Sequence, residues 1–539
     1  MKLRVILLSL LLLYGGKLLA GSDTLSLKLP AEVVSMPKDW VAHRSLPKLS
    51  ASDKEELNAS AAVQLVRSAY ANPAFEKFSG SADLTRLSAG WEKDMQQGTL
   101  IPQLGNGAQA YRIDADTRVG KGSYVVWGNA YYTQGERSNV RWSESSDFSV
   151  VYPYVMADSI GGDMNHETYY FLGGYAKTLN RFTFGLQLDY RAMLEYRTVD
   201  PRPRNTVADL NVRAGVVYSV SNTYSLGVGG LFRKYKQNSG VSFYSPQGKT
   251  PVVHLIGMGM RYLGQGSGEV VQFYNGNSYG ASLDLIPSRG YQKKVGASVS
   301  YQRFTFEKGL DGLNSFPLNE LREDVLRGDL FYVNDNTGDY KGYGVKLSML
   351  YKNRAGTENL PGNPDNGVYP VLTSMRQYTC STIGATASVF YAHTLRIANR
   401  SVRWSVQPKA GYTSVEERYK IPANSFTASA VSAGVELTAG SRAFFRADKL
   451  TLDFGYTYSR NLTYDLTLNN NGSAGLNATL TDMYSLLASS YSLLQASLCY
   501  SYDINRRNTV YLRPQLTYGD FSNGSSRSFW QLSLGYWFW

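Results

Sequence analysis

A chain of 539 residues with 51 glycines, 41 tyrosines and 18% charged side chains is too long for one ordinary soluble domain, where about 100–200 residues is typical. Mean hydropathy is −0.28, and beyond the N-terminus no run nears the ~20 apolar residues of a membrane helix, which excludes a helical membrane protein. The formal charge of +12 falls by three when Lys2, Arg4 and Lys17 leave with an exported leader, and export removes nucleic acid from the expected partners.

That leader is Met1–Ala20. Lys2 and Arg4 precede the apolar run Val5–Tyr14, and Leu18-Leu19-Ala20 closes it, the pattern of a secretory signal peptide. Lys17 beside the cut leaves the cleavage position open, and no Cys follows that would carry a lipid anchor. Residues 21–80 alternate poorly and form a separate N-terminal segment, expected in the periplasm or the lumen. Ser50–Tyr70 has helical character, with Ser52-Asp53 as candidate cap and Leu57, Ala61, Val63, Leu65 and Val66 as apolar positions. Asn72-Pro73-Ala74 stops that helix, because proline cannot continue one and disfavours helix in the residue before it.

From Ser81 the chain is a train of period-two segments. Phe182, Phe184, Leu186, Leu188 and Tyr190 alternate with Arg181, Thr183, Gly185, Gln187, Asp189 and Arg191. The same pattern runs through Val402–Thr413, Leu450–Ser459 and Val510–Gly519, each near the length at which a tilted strand crosses a bilayer. The end is the same: Trp530, Leu532, Leu534, Tyr536 and Phe538 form one greasy face, with Trp539 extra. A soluble sandwich also alternates, but strand length, the tyrosine bias of the greasy face and the aromatic terminus favour lipid outside and a polar lumen inside. The expected fold is all-β: a transmembrane antiparallel up-and-down β-barrel of about 16–20 strands over residues 81–539, in the outer membrane of a Gram-negative bacterium. Short links such as Ser221-Asn222-Thr223 and Asn505–Asn508 are expected inside. Gly135–Asn165, Glu307–Arg327, Asn353–Met375 and Asp465–Ser489 are expected as long outer loops. Val270–Phe273 and Phe331–Val333 read as poor strands. Cys380 and Cys499 fall mid-strand, far apart, and read as small fillers.

The Asn-Pro-Ala turn after a short helix, just before the first strand, resembles the barrel entry of the FadL-like outer-membrane transporters. With Tyr152–Gly162, Asp200-Pro201-Arg202-Pro203-Arg204-Asn205 and the aromatic end, it makes the chain similar to a family of Bacteroidota outer-membrane β-barrels without a known activity. The FadL-like resemblance implies a greasy lumen for apolar cargo, which the polar inward faces oppose.

His43, His166, His254 and His393 have no metal-site spacing, and no nucleophile elbow or phosphate-cradling loop is present. No enzyme, cofactor or metal is therefore expected. The candidate lumen-lining residues are Arg181, Asp189, Arg191, Lys346, Arg403, Lys409, Asp453 and Arg513. They read either as a basic lining that favours anions or as a ladder of paired charges that fills the bore. The expected function is a porin-like channel or transporter for small solutes, gated by the N-terminal segment. The alternative is a non-transporting scaffold that binds surface or secretion-system proteins. Residues 22–78 are too short for the folded plug of a TonB-dependent receptor. The expected partners are outer-membrane lipid, the barrel-assembly machinery through the C-terminal strand, and a possible surface protein.

Overall fold

The computed structural model describes residues 49–98, 101–246, 252–262, 270–288, 293–314, 316–336, 341–397, 400–442, 447–469 and 474–539; the expected signal peptide lies outside them. Eighteen strands form one antiparallel sheet closed on itself. The first are β1 (Leu84–Gln97), β2 (Gly107–Lys121), β3 (Tyr124–Val140), β4 (Gly162–Leu179), β5 (Phe182–Tyr196) and β6 (Arg202–Ser219). Next come β7 (Tyr224–Ser242), β8 (Val270–Pro287), β9 (Lys293–Leu310), β10 (Phe316–Asn336), β11 (Lys341–Pro361) and β12 (Val371–Ile397). The ring continues with β13 (Arg400–Tyr419), β14 (Asn424–Ser441), β15 (Asp448–Thr467), β16 (Tyr491–Asn505), β17 (Asn508–Phe521) and β18 (Ser526–Phe538). Each strand pairs with its neighbour in sequence, and β1 pairs with β18 from Thr85↔Phe538 to Gln97↔Ser526, which closes the barrel.

Alternation sets the two faces. Along β5, Phe182, Phe184, Leu186, Leu188 and Tyr190 are exposed on the outside, while Thr183, Gly185 and Asp189 are buried within. In β18, Trp530, Leu532 and Leu534 face out, and Trp537 turns in to stack on Tyr511 with ring centroids 4.3 Å apart. A greasy belt around the whole exterior is stable only in lipid. With an even strand number, tight turns at one end and longer connections at the other, it places the protein in the outer membrane.

Several strands outrun the sequence reading. Most of Glu307–Arg327 and Asn353–Met375, expected as loops, is strand, and β12 alone has 27 residues. A bilayer crossing takes about 9–11 tilted residues, so these hairpins rise above the membrane, where outward Arg, Asn and Glu give the strand a loop-like composition. Val270–Phe273 and Phe331–Val333 lie inside β8 and β10. Their alternation is blurred because Phe331 and Val333 face inward yet are buried under material that fills the lumen. His166, just past the span Gly135–Asn165 expected as an outer loop, sits in β4.

Candidate functional site: a lumen closed at both ends

The inner closure is the segment before β1. Helix α1 (Ala51–Ala59) is capped by Ser50, whose side chain accepts from the Asp53 amide while Asp53 reaches back. The cap is thus two residues earlier than expected. Ser60 breaks the helix and α2 (Ala61–Arg67) follows, then a 3-10 turn, Pro73–Lys77. Helix α1 lies against β1, β16, β17 and β18, α2 against β10, β11 and β12, and the 3-10 turn against β3 to β7. Together they touch the wall on opposite sides of the bore at its turn end.

Charge and apolar packing both hold this segment. Glu56 pairs with Arg403 (2.6 Å) and with Lys449; Asp53 lies 3.4 Å from Lys449 and 3.8 Å from Arg442; Glu55 lies 3.7 Å from Arg513. Burial opposes ionisation of Asp53, but Lys449, the Ser50 cap bonds and Arg403 outweigh it and hold its carboxyl below the ordinary range. Lys54 sits over the Trp539 ring, 3.4 Å from its centroid, and burial pushes its ammonium down to about 8. Leu65, Val66, Ala69 and Phe75 pack on the inward Val217, Ile286, Phe331, Val333 and Phe390. Each such large apolar side chain contributes about 1.5–3 kcal/mol when fully buried. Asn72 accepts from the Ala74 amide and donates to Asp284, both at 3.0 Å. The wall is carved to admit it: a Cβ on Gly215 would collide with the Asn72 amide, and one on Gly185 with the Ala74 backbone.

The outer closure is the connection 141–161, which turns back across the bore instead of standing outside. It contains a helical turn, Phe148–Val151, and the strand Val155–Ala157, which pairs with Val253–Gly257 and through it Met260–Arg261 in a second small sheet. Buried Arg197 binds Glu144 at 3.0 Å and Asp158 at 3.3 Å, Arg191 binds Asp147 at 2.5 Å, and Arg354 donates to the Ser149 and Tyr152 carbonyls. Helix α3 (Ala474–Leu487) adds Leu480, Met483 and Tyr484 to the same core. The hydroxyls of Tyr152 (2.5 Å) and Tyr484 (3.1 Å) donate to the Glu417 carboxylate on β13, tying loop and helix to the wall.

The predicted lumen residues divide among these closures. Lys346, held by Asp329 at 3.0 Å and the Ser68 hydroxyl at 2.9 Å, joins Arg403 and Arg513 at the inner closure. Arg191 serves the outer one. Asp189 (with Arg213, 3.4 Å), Lys409 (with Glu436, 2.5 Å) and Asp453 (accepting from Thr438, 2.9 Å) are paired within the wall. Arg181 differs: with Asn180 it forms the tight turn before β5 and is exposed, so it does not line the lumen. Sequence reasoning missed Lys449, Asp284, Arg197, Arg354 and Glu417. It singled out Asn72 within the Asn-Pro-Ala turn but not its bond to Asp284, for which the run of inward glycines around Gly227 was a signal. A recess of about 230 Å³ remains on the inner wall, lined by Arg86, Arg112, Asp114, Arg513, Gln515 and Gln531 among others. Among the described residues no group of His, Cys, Asp and Glu could hold a metal ion.

The chain belongs to a family of unknown function, DUF6850, which matches residues 73–538. No curated protein matches this chain in sequence. Solved structures with a similar course include BauA, the ferric preacinetobactin receptor of Acinetobacter baumannii, at 9% identity and TM-score 0.37 over 85% of this chain and 80% of that one. They also include a Pseudomonas aeruginosa FadL homologue at 10% identity and TM-score 0.31 over 88% and 94%, and the CymD monoaromatic hydrocarbon channel at 11% identity and TM-score 0.28 over 92% and 98%.

Proposed function

We propose that the chain is a gated passage for small polar solutes across the outer membrane, with residues 50–78 as the inner gate. The observation that carries this reading is the seating of Asp53, Glu55 and Glu56 on Arg403, Arg442, Lys449 and Arg513 of the inner wall. Asp53 and Glu55 meet the partly exposed Arg442 and Arg513 in pairs that salt screens, often about 0–1 kcal/mol each. The buried Glu56–Lys449 pair and the apolar packing of α2 hold more firmly, so α1 is the releasable end of the plug. The inward recess of Arg, Asp and Gln suits a polar solute rather than an apolar one.

Planar-bilayer conductance of the purified chain tests the reading. Because the connection 141–161 also crosses the bore, removal of residues 51–78, or charge reversal by Asp53→Lys with Glu56→Lys, is combined with deletion of residues 144–158. The doubly opened chain is expected to conduct where the chain opened at one end is not, with a preference for anions as the wall cations are freed. An intact barrel that stays closed in every form would reject the passage. A scaffold reading has one observation of its own, the exposed Val368, Val371 and Leu372 at the β11–β12 tip. A stoichiometric surface protein captured in mild detergent and lost on Leu372→Asp would favour it.

A further inference from the structure

The outer wall above the membrane carries a polar recess of about 630 Å³ across β8 to β12, on the lipid-facing side of the barrel. Pair registers place it in height. Phe232 and Tyr279 lie side by side with ring centroids 5.5 Å apart, and Tyr301 and Tyr351 continue this outward aromatic row. Below it the same faces carry Leu283, Val299, Leu330 and Leu347, all exposed. Immediately above it they carry Lys234, Arg303, Arg322 and Asp324. An aromatic girdle marks the headgroup level of a barrel, so side chains one register step beyond it meet the outer-leaflet headgroups rather than hydrocarbon.

The patch has an excess of positive charge. Arg303 (2.7 Å) and Arg322 (2.8 Å) share the single carboxylate of Asp324, which also accepts from the Tyr301 hydroxyl. Lys234 donates to the neutral side chains of Asn275 and Asn277 at 2.7 and 2.9 Å. Arg376 lines the recess as well. The remaining carboxylates, Glu307 and Glu320, face one another at the upper edge, away from the membrane. The lower edge is therefore cationic where it meets the headgroup layer.

We propose that this face binds the phosphorylated sugar headgroup of an outer-leaflet glycolipid. Arg322, which lines the recess, and Arg303, beside it on the shared Asp324, hold a phosphate by paired N–H donors. Lys234, held at the rim by Asn275 and Asn277, adds a third cation, and Asn275 and Asn353 offer hydrogen bonds to sugar hydroxyls. The inference is independent of solute passage.

The test uses the full folded chain in detergent micelles, titrated with lipid A bearing both phosphates, with lipid A stripped of phosphate, and with inorganic phosphate. Retention in native mass spectrometry and the midpoint of the heat-modifiable gel shift are read. Only the phosphorylated lipid is expected to be retained and to raise the midpoint, and Arg303→Gln with Arg322→Gln is expected to weaken retention about tenfold. Should the double variant lose its gel shift, Arg322→Gln alone, whose side chain is 53% exposed, replaces it. Equal retention of the stripped lipid, unaltered retention by the folded variant, or binding of inorganic phosphate as tight as the lipid would overturn the proposal.

Discussion

At the scale of single residues, His254 is the most telling group in the outer closure. It is buried, neither ring nitrogen has a hydrogen-bond partner, and burial together with nearby Lys308 holds its imidazole well below the ordinary histidine value. The folded form thus keeps His254 neutral, while the unfolded segment takes up a proton near its ordinary value of 6.5. The unfolded state binds more protons below that value, so stability is fully present above it and is lost as the pH falls through and below it. The protection of residues 252–262 against hydrogen exchange, taken relative to the intrinsic exchange rate at each pH, is expected to fall below about pH 6, and His254→Phe to flatten that dependence. Matching pH profiles for the two chains would refute it. Gly215 gives a second prediction. Valine there collides with Asn72 and is expected to cost about 1–3 kcal/mol in docking of the inner segment, read as raised protease cutting at residues 50–78 with the barrel intact. Facing direction was legible at this scale, since Arg403, Lys409 and Arg513 were placed inward by alternation alone. Partners were not legible. The Glu56–Arg403 pair joins residues 347 apart in the chain, and no local pattern encodes it.

At the scale of elements, the strands were legible where lipid imposes alternation and illegible where it does not. β9 to β12 leave the membrane partway along, and their upper halves show neither a greasy outer face nor a turn signature. Inside, Phe331 and Val333 broke the polar inward pattern because α2 and Tyr70 cover them, so the helix hid the strand from sequence reasoning. The connection 141–161 falls within Gly135–Asn165, which was read as a long outer loop from its length. Its Glu144, Asp147 and Asp158 are instead neutralised inside the bore. Removing the cation from such a cluster is far worse than never having had it. Arg197→Met leaves two buried carboxylates and is expected to cost the closure about 3–5 kcal/mol. Limited proteolysis should then cut within 141–161 while the transmembrane strands stay protected; a loop as resistant as in the wild type would show that Arg197 is dispensable.

At the scale of the molecule, the ring is closed by the first and last strands, whose thirteen paired positions run the full length of β18. Deleting Trp530–Trp539 leaves β1 and β17 with bare edges in hydrocarbon, where every unpaired peptide group costs several kcal/mol. Loss of the heat-modifiable form and of surface labelling is expected, and normal migration of the truncated chain would contradict the closure described. The architecture and the membrane were legible in the sequence because they are repeated in many strands. The N-terminal segment was expected in the periplasm or the lumen, but its partners on the wall, and the inward turn of 141–161, were not legible, because each is written once.

Helix α1 straddles the seam: Ala51 packs among Leu84, Cys499, Tyr511 and Trp537 and donates its amide to the Arg506 carbonyl. Three of the four strands of its berth, β16 to β18, lie more than 400 residues along the chain from it. The berth of α1 is therefore complete only when β18 has paired with β1, whereas α2 and the 3-10 turn rest on strands away from that seam. A ring open at its seam keeps half of its inner plug and loses the helix that spans the join.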